Sequence, residues 1–160
     1  MERPVRAQED GSAKGSAKEA SLRPQYIVFN AGEAVFAVGL SRVQEIIEPE
    51  VWVRVPHAAA WVEGLLYHHG EALLVLNGGS LLNGLCTPRE ASATVIRMND
   101  PSMKVGILVN KILGTWRPTV PATPSKGAFF VNRVWEHKGR LVNHLEVEAL
   151  LERAARVFEA

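Results

Sequence analysis

Tyr26-Ile27-Val28-Phe29-Asn30-Ala31-Gly32-Glu33-Ala34-Val35-Phe36-Ala37-Val38 is the stretch whose reading decides the fold. Two runs of β-branched and aromatic residues flank the turn Asn30-Ala31-Gly32-Glu33, which is the pattern of a β-hairpin. A second hairpin follows the same grammar, with Thr94-Val95-Ile96-Arg97-Met98, a turn at Asn99-Asp100-Pro101-Ser102, and Val105-Gly106-Ile107-Leu108-Val109. Pro101 presets its φ and Asp100 bonds nearby backbone, as a turn requires. Displacing the chain by 69 positions lays 26–82 on 95–151 without a gap and gives 11 identities in 57 positions. Among them are Asn30/Asn99, Pro49/Pro118, His68/His137 and Gly70/Gly139. About 4 are expected if unrelated residues match roughly one time in fifteen at average composition. The chain therefore reads as a doubled unit.

Each half continues with a β-run ending near a proline, a loop, another hairpin and a terminal Leu-Leu turn of helix. The later hairpins are Trp61–Tyr67 with Ala72–Leu76, turning at His68-His69-Gly70-Glu71, and Phe130–Trp135 with Arg140–Leu145, turning at His137-Lys138-Gly139. Short strands at regular spacing predict a mainly β protein with a small barrel in each half, about 26–82 and 95–151. Some 57 residues are marginal for a separate core, so the two barrels are expected to pack together. Residues 146–159 place Val147, Leu150, Leu151, Ala154 and Phe158 on one stripe, which predicts a C-terminal α-helix lying on the barrels. Residues 1–24 hold almost nothing large and apolar and are expected to be a disordered arm.

The charge balance narrows the function. The chain has 160 residues, 18 Lys+Arg and 17 Asp+Glu. Five basic and four acidic residues fall in the arm, so the body carries thirteen of each. A neutral body supplies no general attraction to nucleic acid or anionic membrane. Cys86 is the single cysteine, which excludes an intramolecular disulfide and a multi-cysteine zinc site. No export signal is visible at Met1-Glu2-Arg3-Pro4, and Pro88 ends the longest uncharged stretch, so a cytoplasmic protein is expected.

Catalytic patterns are missing. Gly78-Gly79 and Gly84 lack a following Lys-Ser/Thr, so no phosphate-cradling loop is read. Ser41, Ser80 and Ser92 have no nucleophile-elbow context, and Cys86 reads as a buried or semi-buried thiol without cationic neighbours. His57, His68, His69, His137 and His144 invite a metal reading. Adjacent strand residues point to opposite faces, however, so His68 and His69 are expected to be solvated and not to share an ion, an objection that weakens if both lie in the turn. No enzyme, cofactor or metal is expected. The competing class is an RNA-binding barrel, in which Trp52, Arg54 and Trp61, or Trp116, Arg117 and Trp135, form a weak aromatic-basic pattern. A metal-dependent enzyme using His57, His68 or His137 ranks behind it.

Several stretches resemble one family in order along 25–152. Val38-Gly39-Leu40-Ser41-Arg42-Val43-Gln44-Glu45-Ile46-Ile47, then Arg54-Val55-Pro56 and Val62-Glu63-Gly64-Leu65-Leu66, are similar to the CheW family of chemosensory coupling proteins. Val105-Gly106-Ile107-Leu108-Val109-Asn110-Lys111-Ile112, Gly139-Arg140-Leu141-Val142 and Leu145-Glu146-Val147-Glu148-Ala149-Leu150-Leu151 agree with its later motifs. The resemblance implies two SH3-like β-barrel subdomains and no catalysis. It implies an adaptor that seats the cytoplasmic tip of a methyl-accepting chemoreceptor in an apolar groove between subdomains. That adaptor links the receptor to, or modulates its link to, a CheA-type histidine kinase, among other CheW-like proteins. By position the receptor groove would take Val43, Glu45, Ile46, Val95, Gly106 and Ile107, with Gly106 admitting a close backbone. Three departures stand out. His69 replaces the arginine implicated in array contacts, Asn77 replaces an aspartate, and the connection from Asn110 to Phe130 is shorter than usual. The resemblance implies that the second subdomain and its connections help meet the kinase, so weakened kinase binding is the expected consequence of the shorter connection.

Overall fold

Alternation of apolar and polar residues with period two fixes strands, and glycine-bearing turns punctuate them. The structure, a computed structural model, describes residues 23–49 and 52–157, and for 126–128 the backbone alone. The arm expected over 1–24 lies outside the described residues except for Arg23 and Pro24. In chain order the strands are β1 (Tyr26–Ala31), β2 (Ala34–Gly39), β3 (Val43–Ile47), β4 (Trp52–Val53), β5 (Val62–His68) and β6 (Glu71–Asn77). Helix α1 (Gly78–Asn83) precedes β7 (Thr94–Met98), β8 (Val105–Val109), β9 (Lys111–Trp116), β10 (Thr123–Ala128), β11 (Val131–His137) and β12 (Arg140–Leu145). Helix α2 (Val147–Ala155) closes the described fold. Its regular turns end before Arg156, short of the stretch to 159 that its stripe predicted, and Phe158 lies outside the described residues.

Two six-stranded sheets form, in the orders β10-β11-β12-β2-β1-β9 and β4-β5-β6-β8-β7-β3. The protein is mainly β and SH3-like as expected, although hydrogen bonding leaves both sheets open. Each sheet draws on both halves of the chain. The first hairpin, β1-β2, joins the later strands of the second repeat, and β7-β8 joins those of the first. Reading the subdomains as continuous halves, 26–82 and 95–151, is therefore corrected to two modules that exchange their opening hairpins. The exchange is made by the single turn of 3-10 helix at Leu40–Arg42, which hands the chain from β2 in one sheet to β3 in the other.

The duplication appears in the pairing itself. Ile27 lies opposite Val38, and 69 residues on Ile96 lies opposite Ile107. The parallel pair Phe36/Asn143 answers Leu74/Val105, because each repeat lends its hairpin to the other. Register shifts recur at Val62/Gly64 and Val131/Arg133. Strands β4 and β10 pair one residue out of step with this rule.

The largest core lies between the two sheets. Phe29, Phe36 and Val38 from one meet Leu76, Ile96, Met98 and Ile107 from the other, joined by Leu145, Leu150 and Leu151. Full burial of side chains of this size contributes roughly 2 kcal/mol each relative to exposure. Smaller clusters cover the outer faces, Ile47, Leu66, Leu73, Val95 and Leu108 on one and Tyr26, Val35, Trp135 and Val142 on the other.

Candidate functional site

Strand β3 is the edge of its sheet, and among the described residues no strand pairs with its outer side. Val43 pairs with Met98 and Glu45 with Arg97, so Gln44 is an extra residue that interrupts the register. Such a bulge reverses the alternation on either side of it. Ile46 stands opposite Ile96, and both Ile96 and Met98 belong to the core between the sheets. Val43 and Ile46, three residues apart, therefore share one side of the strand. Val43 packs partly against the core, whereas Ile46 is 42% exposed. Glu45 faces the other way, with Ile47 and Val95.

Of the six residues assigned to a receptor groove, only Val43, Glu45 and Ile46 reach the surface. Val95 and Ile107 are 0% exposed, and Gly106 is buried on β8. These three are corrected from groove lining to interior packing. The seam between the sheets is filled by the protein's own Phe29, Phe36, Ile96 and Ile107. An open cleft of about 560 Å³ remains at one end, bounded by Pro24, Tyr26, Leu40, Arg42, Arg117 and Glu146. Arg42, between that cleft and Val43, is held by Glu148 of α2 at 2.5 Å.

Glu45 and His69 do meet, through a residue not assigned to the site. His68 Nε2 donates to Glu45 Oε2 at 2.8 Å. That bond, ahead of the fields of His68, His69 and Arg97, holds the Glu45 carboxyl below the ordinary range. His68 pairs with Glu71 and closes a two-residue loop, His69-Gly70, with φ of 49° and 79°. Positive φ at both positions is the primed hairpin turn that matches strand twist. Alternation therefore stops at His68, and the His69 ring folds back to 4.0 Å between centroids from the His68 ring. Both histidines lie at the turn, where the opposite-face objection does not apply, with His69 exposed and His68 half-buried.

The tryptophans of the RNA reading are engaged within the protein, whereas Arg54 and Arg117 are exposed. Trp135 is buried and meets Tyr26 and Trp116 edge-on at 5.0 and 5.3 Å. Arg89 stacks on Trp52 at 3.8 Å, and Arg153 lies over Trp61 at 5.7 Å. Cys86 is exposed rather than buried. Thr87 is the residue turned inward, accepting from Gly79 N–H at 3.0 Å and donating to Asn110 Oδ1 at 2.9 Å.

Residues 25–155 match the CheW-like domain family. Over 133 residues the chain is 23% identical to the chemotaxis protein CheW of Thermotoga maritima, an alignment covering 80% of this chain and 87% of that protein. Among solved structures it is similar to the scaffolding protein TtCheW from Thermoanaerobacter tengcongensis, with a TM-score of 0.69 at 13% identity, over 78% of this chain and 84% of that one. The family match takes in all twelve strands and both helices, with the exchanged hairpins that join them, and the chain belongs to the CheW-like domain family.

Proposed function

We propose that this chain is a non-enzymatic adaptor of a bacterial chemosensory array. It docks the cytoplasmic helical tip of a methyl-accepting chemoreceptor and links that receptor to a CheA-type histidine kinase, or modulates the link. The observation that carries the reading is the placement of Val43 and Ile46 on one side of an edge strand whose outer side pairs with no strand among the described residues. An apolar pair on a rigid strand suits the apolar stripe of a helix, with the filled core behind it holding the strand in place. Ile107, paired with Ile96, backs that surface from within, whereas Val95 and Gly106 belong to the other face of the sheet. Membership of the family supports the adaptor class, as do a curated relative named for chemotaxis and a solved relative described as a scaffolding protein.

His69 is the proposed array or kinase contact. A neutral or singly charged imidazole there lacks the forked, permanently charged donor set of arginine, so kinase binding is weaker than in a standard coupling protein. The adaptor works in the cytoplasm beside membrane-bound receptors and other CheW-like proteins. Among the described residues no helix is long and apolar enough to cross a membrane.

The test is a pull-down of the purified chain with a soluble receptor-tip fragment and, separately, with a kinase regulatory domain. Retention of the receptor fragment with weak kinase capture is expected. Kinase binding as tight as that of a standard coupling protein overturns the weakened-kinase part, and failure to retain any receptor tip overturns the adaptor reading.

A further inference from the structure

The Glu45–His68–His69 group lies at the open edge of its sheet and has a geometry that array contact does not require. One carboxylate oxygen and two imidazole nitrogens, one ligand atom from each residue, all lie within 4.8 Å of one another. Two histidines and a carboxylate make up a common zinc ligand set, with the remaining position left to water. We propose that Glu45, His68 and His69 form a binding site for a single first-row divalent cation of the zinc class. This inference stands apart from the adaptor reading, since it needs only the chain itself.

Three features prepare the site. The His68–Glu45 hydrogen bond already aims both groups at the space they would share. The His69-Gly70 turn fixes where the second ring leaves the backbone. Arg97, opposite Glu45 across the strands, would repel a cation, and Glu71, 3.2 Å from its guanidinium and 2.8 Å from Lys104, offsets part of that charge. Bonds of about 2.0–2.2 Å in a tetrahedron bring ligand atoms to roughly 3.4 Å from one another. The His68–Glu45 pair, now 2.8 Å apart, opens by roughly 0.6 Å to reach that spacing, and a turn of the exposed His69 side chain brings in the third ligand. Coordination through His68 Nε2 replaces the proton now shared with Glu45, so that proton moves to Nδ1 or leaves to solvent.

The repeat provides an internal control. Displaced by 69 residues, Glu45, His68 and His69 become Gly114, His137 and Lys138. The same hairpin turn is present there, with Lys138 at φ 52° and Gly139 at φ 78°, but two of the three ligands are missing. The shared fold accounts for the turn and for His68/His137, whereas the complete ligand set belongs to one module alone.

The experiment is calorimetric titration of the untagged full chain with Zn²⁺, read together with the imidazole nitrogen resonances. Expected is one equivalent bound, with the His68 and His69 signals moving and that of His137 stationary. Loss of a supporting partner alone lowers metal affinity about 10–100-fold, so Glu45→Gln and His69→Asn should each weaken binding by at least about tenfold. Asn tolerates the positive φ at position 69, and Glu45→Gln leaves the turn untouched, so an unfolded variant of one leaves the other to decide. Cys86→Ser should bind as the parent does. No saturable uptake, uptake indifferent to both Glu45→Gln and His69→Asn, or signals that move only at His57, His137 or His144 would overturn the site.

Discussion

A Cβ added to Gly106 would lie 2.7 Å from Val95 Cγ1, and 3.0 Å from the carbonyl oxygen of Ile96. Glycine is required here by a neighbouring strand of the same sheet. Gly106→Ala forces Val95 or the backbone aside in a close-packed interior, a change that costs about 1–3 kcal/mol. Urea unfolding should show that loss, while receptor affinity per folded molecule stays unchanged. Loss of receptor binding at undiminished stability would return Gly106 to the docking surface.

Asn77, 1% exposed, caps α1 and ties down the connection that follows. Its Oδ1 accepts from the Ser80 and Thr87 backbone N–H groups at 3.0 and 2.8 Å, and its Nδ2 donates to Glu63 Oε1 and the Thr87 carbonyl, both at 2.9 Å. An aspartate at this position would keep both accepted bonds and lose the donated ones, placing its charge against Glu63. Asn77→Asp should therefore destabilise by about 3 kcal/mol, the scale of an uncompensated buried charge. Denaturation of the double variant with Glu63→Gln should recover part of the loss, and simple additivity would remove Glu63 from the explanation.

Ile46→Asp separates docking from folding. Its side chain is 42% exposed, so the substitution should cost about 0.5 kcal/mol or less in stability. A charge in the middle of an apolar contact should weaken receptor-tip binding by roughly tenfold. Val43→Asp should lose both, because Val43 also packs on the core. Isothermal titration with a receptor fragment, beside circular dichroism, distinguishes the two, and full affinity in Ile46→Asp would take β3 out of the interface.

Much of this architecture is written locally. Both hairpins, the doubled plan and the amphipathic α2 follow from period-two runs, positive-φ glycines and a 3.6-residue stripe, all set by near neighbours. The exchange of hairpins does not, because β2 meets β12 in the same register in which β8 meets β6, and two like repeats offer the chain two nearly equivalent pairings. Gln44 illustrates another limit. Nothing in its chemistry marks a bulge, yet that one extra residue puts Val43 and Ile46 together and turns Glu45 toward His68. Burial at Val95 and Ile107 likewise depends on which strands flank β7 and β8, a long-range fact that a motif match does not carry.

His69→Arg tests the departure at the array contact. The turn already holds a side chain at φ 49°, so the exchange should leave stability within about 0.5 kcal/mol. A forked cation in place of the imidazole should raise co-sedimentation of the protein with receptor–kinase arrays. Unchanged co-sedimentation would show that the weakening lies elsewhere, for instance in the short Asn110–Phe130 connection.

His144 makes stability depend on pH in a defined window. Burial, and then the charge of Arg133, lower its pKa from 6.5 to about 4. Its Nδ1–H donates to Asn132 Oδ1 at 2.6 Å, and its ring meets Tyr26 and Trp135 edge-on, both at 5.7 Å. Between those two pKa values the unfolded chain binds a proton that the folded chain refuses, so folding is opposed increasingly as pH falls. The stabilisation is complete above about 6.5 and is lost progressively down to about 4. Below the ordinary carboxylate range Glu45, Glu71 and Asp100 continue the loss, since each is held ionised by its hydrogen bonds in the fold. Urea unfolding at intervals from pH 7 to pH 4 should show a slope that His144→Gln flattens in the upper part of the range. A parent slope retained in full by that variant would assign the window to another group.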